Sequence, residues 1–125
     1  MAVTLETVAR NAANDAVVDL CDVGGTGKLK IRASAVVLAE FDLSATAFGA
    51  SATGSATANG LPLATTGLAA GTADNYQVTQ NDDTLLWAGV ASGTGGGGDL
   101  ELDNPVIAIS QAVNITAWTH AQPAT

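Results

Sequence analysis

Apolar residues recur at threes and fours near the start of the chain: Leu5, Val8, Ala9, Ala12, Ala16 and Leu20. That spacing predicts an amphipathic helix over residues 4–20, with Thr4 placed to cap its start. Glu6 and Arg10 stand four apart in the favourable order. Asn11, Asn14 and Asp15 fall off the apolar stripe. Asp19 and Asp22 oppose the helix dipole, so packing must hold the C-terminal end. After Gly24, Gly25 and Gly27 the period changes to two. Lys28, Lys30 and Arg32 alternate with Leu29, Ile31 and Ala33, which predicts a strand with one wet and one buried face. Residues 34–43, with Val36, Val37, Leu38 and Phe41, read as a second strand whose polar face carries Glu40 and Asp42.

The middle of the chain, residues 44–60, is built almost wholly from Ala, Thr, Ser and Gly. Alternating Ala and Thr suits a strand that another layer can approach closely, so a strand is expected over residues 52–58. Asn59-Gly60 is a turn signal. Residues 61–66 form a short extended piece around Pro62. Residues 73–80 and 84–90 read as strands of a hairpin joined at Gln80-Asn-Asp-Asp83. The segment Ser92-Gly-Thr-Gly-Gly-Gly-Gly98 reads as a flexible connector. Asp99, Glu101 and Asp103 alternate with Leu100 and Leu102. Residues 105–110 and 113–120 complete the strands, with a turn near Gln111 and Ala112, and residues 121–125 form a tail. One helix followed by roughly seven or eight short strands predicts a mainly β chain: an antiparallel β-sandwich or jelly-roll-like domain (residues 28–120) with an N-terminal α-helix.

The 125 residues fit one domain, 1–125. The net charge of −8, with only Arg10, Lys28, Lys30 and Arg32 as cations, argues against direct nucleic-acid binding, which rests on clustered Lys and Arg. An anionic membrane surface is disfavoured for the same reason. No stretch approaches the ~20 apolar residues of a membrane span. Met1-Ala-Val-Thr-Leu-Glu6 lacks the basic region and apolar run of a secretory signal, so synthesis and folding in the cytoplasm are expected.

The stretch Cys21-Asp-Val-Gly-Gly-Thr-Gly-Lys-Leu29 superficially suggests a phosphate loop. The required first glycine falls on Asp22, however, and the magnesium-binding hydroxyl falls on Leu29. The glycines also follow a helix instead of preceding one, so no helix N-terminus faces the loop. Cys21 is the lone cysteine and His120 the lone histidine. A Cys–His nucleophilic pair would need them to meet, and a zinc site lacks ligands. The carboxylates Asp82, Asp83, Asp99, Glu101 and Asp103 have no EF-hand spacing for calcium. No G-x-S-x-G elbow is present. The expectation is therefore a protein that is not an enzyme, with no catalytic residues, no cofactor and no metal. The basic row Lys28, Lys30, Arg32 and the acidic row Asp99, Glu101, Asp103 would suit each other across strands or across subunits. With Phe48 and Trp87 they are the candidate contact residues.

The segment order is familiar. Val8-Ala-Arg-Asn-Ala-Ala-Asn-Asp-Ala-Val-Val-Asp-Leu20 runs into Gly27-Lys-Leu-Lys-Ile-Arg32. Ala39-Glu-Phe-Asp-Leu-Ser-Ala-Thr-Ala-Phe-Gly49 and a small-residue strand follow, and the chain closes with Asp99-Leu-Glu-Leu-Asp-Asn104 and Ile107-Ala-Ile-Ser-Gln-Ala-Val-Asn-Ile-Thr-Ala-Trp118. This resembles a group of small virion structural proteins of tailed bacteriophages. The resemblance implies a non-enzymatic building block, foremost a capsid decoration (cement) protein on the outer surface of the head. It would bind the major capsid protein and associate with itself as a trimer or dimer. A tail or tail-tip component and a carbohydrate-binding β-sandwich used in host attachment are the alternatives.

Overall fold

The fold is that of a computed structural model, which describes residues 4–61 and 63–121. Pro62 and residues 122–125 of the expected tail lie outside the described residues. The elements are α1 (Thr7–Asp19), β1 (Lys28–Ala33), β2 (Val36–Asp42), β3 (Ser55–Thr57), β4 (Leu63–Thr66), β5 (Gly71–Thr72), β6 (Asn75–Thr79), β7 (Leu85–Gly93), β8 (Leu100–Leu102), β9 (Val106–Ile107) and β10 (Ala112–Ala121). The protein is mainly β and sandwich-like, with a curled mixed sheet and an N-terminal helix.

Eight strands share one sheet, in the order β2-β1-β6-β7-β8-β10-β3 with β4 also on β10, while β5 and β9 pair separately. Burial explains the registers. Leu29 and Ile31 of β1, Tyr76 and Val78 of β6, Leu100 and Leu102 of β8, and Val113, Ile115 and Trp118 of β10 all point into one core. A slip of one residue in any of these strands would expose its whole apolar set. The hairpin between β6 and β7 turns at Gln80–Asp83 as the sequence predicts: the Gln80 N–H donates to the Thr84 carbonyl at 2.9 Å. One pair departs from an antiparallel sheet, because β7 and β8 run parallel. Parallel neighbours ordinarily need a long crossover. Here the glycine run loops the chain back over residues 94–99, so that Leu100 starts beside Ala91 in the same direction, with Gly95 and Gly97 both at φ 82°, where an L side chain would be strained. The loop is tied to itself, the Gly98 N–H donating to Ser92 Oγ at 3.0 Å.

The helix departs from expectation most. It begins at Thr7, with Glu6 in the cap position and no side-chain cap bond, so Thr4 does not cap it. Its apolar stripe faces out: Val8 is 82 % and Leu20 42 % exposed, and Ala9, Ala12 and Ala16 are exposed with them. The opposite face docks through Val18, 2 % exposed in the core, and through polar side chains. Asn14, 0 % exposed, donates to Ser51 Oγ at 2.9 Å and to the His120 carbonyl at 3.0 Å. The Ser51 and Gly54 N–H groups donate to Asp15 Oδ1 and Asn11 Oδ1, each at 2.8 Å. The Ser51 hydroxyl, and then its N–H, hold the Asp15 carboxyl below its ordinary value. Beyond the helix, the Ala47 N–H donates to Asp22 Oδ1 at 3.0 Å.

The small-residue segment is the seat of this helix. It forms a strand only over Ser55–Thr57, preceded by a tight turn with Thr53 and Gly54 at positive φ. The turn directs backbone N–H groups at the helix, and its short side chains allow the approach.

Candidate functional site

A cavity of about 210 Å³ opens where β6, β7 and β10 converge, lined by Tyr76, Trp87, Ala88, Asp99, Thr119, His120 and Ala121. Tyr76 is opposite Gly89 in the hairpin. A Cβ at Gly89 would lie 2.6 Å from the Tyr76 hydroxyl, so the absence of a side chain there lets the ring lie across β7. Around it Phe48, Trp87 and Trp118 form an aromatic cluster. Phe48 meets Trp118 edge-on at 4.7 Å between centroids, and Tyr76 meets Trp118 at 6.0 Å, the geometry that ring quadrupoles favour.

The polar groups of the cluster are held in defined states. The Trp87 and Trp118 indole N–H groups are buried without a full hydrogen bond. They nevertheless act on the Tyr76 hydroxyl: burial pushes this phenol above its ordinary value, and the indoles of Trp118 and then Trp87 partly offset the rise. Tyr76 is thus a neutral hydroxyl.

His120 lies tilted against Trp87, with ring centroids 4.5 Å apart and 56° between the ring planes. Its Nδ1 is 2.6 Å from Asn14 Oδ1. The Asn14 amide nitrogen is already committed to a carbonyl and a hydroxyl oxygen, so its oxygen must accept and His120 Nδ1 must donate. The neutral ring therefore carries its free lone pair on Nε2. Burial lowers the His120 pKa, and the Asp99 charge works against that shift.

The candidate residues of the sequence disperse. Trp87 and Asp99 meet at the cleft. Phe48, 3 % exposed, belongs to the core and is not offered to a partner. The basic and acidic rows do not face each other within the chain, because β6 and β7 separate β1 from β8. Lys28 and Lys30 instead reach Asp83 in the hairpin turn, at 3.5 and 3.1 Å. The Lys30 hydrogen bond, followed by the charges of Lys28 and Lys30, lowers the Asp83 pKa. Such exposed pairs add little stability. Asp103 is engaged by its own sheet: Asn114 Nδ2 donates to it at 3.0 Å, and that bond lowers its pKa. Glu101 and Arg32 sit half-buried on β8 and β1.

Cys21 is fully buried, and burial, aided by the Asp22 charge, pushes its thiol up to about 12. It is a core side chain in the thiol form, while the His120 ring is taken up by Asn14. No group of three or more His, Cys, Asp or Glu that could hold a metal occurs among the described residues. The sequence reading missed Tyr76, Asn14 and His120 as members of one site. The only signal for them was that Asn14 lay off the apolar stripe of the helix and His120 was the lone histidine.

No protein-family model matches the chain, and neither a curated protein nor a solved structure shows significant similarity to it.

Proposed function

We propose that the chain is a structural protein of a tailed-bacteriophage virion, most specifically a capsid decoration protein that binds the assembled head and stabilises it. The observation that carries this reading is the outward apolar stripe of α1. A helix that docks by Asn11, Asn14 and Asp15 leaves Val8, Ala9, Ala12, Ala16 and Leu20 as a ready surface for another chain. Fully burying a Val or Leu side chain contributes about 1.5–3 kcal/mol, and repetition over a lattice multiplies a modest site affinity. A second apolar surface lies where residues 33–38, 67–72 and 106–110 meet. There the Leu68 N–H donates to the Leu38 carbonyl, and the Ser110 N–H to that of Gly67. Val36, Leu68, Val106 and Ile109 are exposed on these segments and suit self-association as a trimer or dimer.

The net charge of −8 suits the outside of a shell better than contact with packaged DNA. In this reading the protein is not an enzyme and needs no cofactor. A carbohydrate-binding role would draw on a row of exposed aromatics. Phe41, Phe48, Tyr76 and Trp118 lie in the core, which leaves that alternative Trp87 alone.

The test adds purified chain to heads assembled without it and sediments them. Wild type should pellet at saturation. An Ala12→Lys/Ala16→Gln variant, folded by circular dichroism, should stay in the supernatant. Wild type left in the supernatant, or a variant that binds equally well, would overturn the proposal.

A further inference from the structure

The cleft is a built site whose chemistry selects its ligand. We infer that the cavity between Trp87, Asp99 and His120 binds one organic cation, an alkylammonium or guanidinium group. The inference is independent of the virion reading.

Asp99 offers carboxylate oxygens and only accepts. His120, donating through Nδ1 to Asn14, offers the cleft an Nε2 that only accepts. The Thr119 hydroxyl can do either. No Lys or Arg lines the cavity. The one donor-only group on these side chains, the Trp87 indole N–H, is buried, so a ligand rich in N–H donors satisfies the acceptors that remain. A phosphate or carboxylate would meet acceptors and a negative charge.

Trp87 supplies aromatic surface, the side-chain type that attracts cations, next to the Asp99 countercharge. A volume of about 210 Å³ takes one such headgroup but not an extended chain. A net charge of −8 over a partly enclosed cleft concentrates cations there. Asn14 acts here as a positioning residue, because it fixes which ring nitrogen of His120 faces the ligand.

The cation can come from a free amine or from a Lys or Arg side chain of a partner. The test titrates the full ¹⁵N-labelled chain with agmatine and with an acetyl-arginine amide, and follows the Trp87 indole resonance. Acetyl-citrulline amide, the neutral isostere, and methyl glucoside serve as comparisons. The expected result is a saturable shift with the arginine-type probes and binding about tenfold or more weaker for citrulline, as loss of a charge-assisted contact implies. Asp99→Asn should weaken arginine-type binding by a similar factor while leaving the spectrum folded. Tighter binding of agmatine would assign the site to a free amine, and tighter binding of the peptide-like probe to a partner side chain. Equal binding of citrulline and arginine, no effect of Asp99→Asn, saturation by methyl glucoside alone, or no saturable shift with any probe would overturn the inference.

Discussion

Replacing Asn14 by Ala should be among the most damaging single changes on the helix, although Asn14 lies off the apolar stripe. The side chain is fully buried and makes three hydrogen bonds, to Ser51 Oγ, the His120 carbonyl and His120 Nδ1. Each contributes about 1 kcal/mol net, and partners left buried and unpaired raise the cost further. The expected loss is about 3 kcal/mol, a large part of the stability of an ordinary domain. With an unfolding entropy of about 2 cal/mol/K per residue, a chain of this length should melt about 10 °C lower. Thermal and urea unfolding followed by circular dichroism measure it. The mirror variants Ala12→Lys and Ala16→Gln lie on the exposed face and keep helix propensity, so each should stay within about 0.5 kcal/mol of wild type. An ordinary amphipathic helix docked by its stripe would behave in the opposite way. Asn14→Ala near wild type, with Ala12→Lys or Ala16→Gln strongly destabilised, would refute the polar-face docking.

Further outcomes follow from the same geometry. Gly89→Ala places a Cβ 2.6 Å from the Tyr76 hydroxyl; displacing this buried ring should cost about 1–3 kcal/mol, read as a lower urea midpoint at unchanged m-value. His120 has a folded pKa below its ordinary 6.5, so the unfolded chain binds the proton first. Its contribution to stability should be complete above that pH and decline as the pH falls from 6.5 through the lower folded value. Urea midpoints between pH 8 and pH 5 should show that slope, and His120→Gln should remove it. Cys21, buried with its thiol pushed up to about 12, should resist iodoacetamide at pH 8 in the native protein and react once urea unfolds it. Rapid alkylation of the folded chain would contradict its core placement.

The sequence was legible where one side of an element meets water and the other the core. Lys28, Lys30 and Arg32 against Leu29 and Ile31 place β1 correctly, and Gln80–Asp83 places the hairpin turn. The helix itself was also legible, but its orientation was not. Half of its stripe is alanine, whose burial gains little, whereas Asn14 finds its partners 37 and 106 residues away, pairings that no local pattern encodes. The strand expected over residues 52–58 shrank to Ser55–Thr57, because that segment provides backbone N–H groups to the helix. The strand expected over residues 105–110 shrank to Val106–Ile107. The last strand runs to Ala121, one residue into the expected tail. Of the seven residues that line the cleft, Trp87 and Asp99 were named from the sequence, as contact residues; Tyr76 and His120 join them only through the strand order β6-β7-β8-β10. The basic and acidic rows do not pair within the chain for the same reason. Strand order, set by long-range packing, separated them and gave the lysines Asp83 instead.

The claim that this chain decorates a capsid is tested most directly by its copy number. Quantitative mass spectrometry of purified particles would measure the chain against the major capsid protein. A capsid-bound chain should be present at a ratio near that of the capsid protein, or at a simple fraction set by shell symmetry. A few copies per particle would contradict the claim in favour of a tail role, and complete absence would contradict both virion readings.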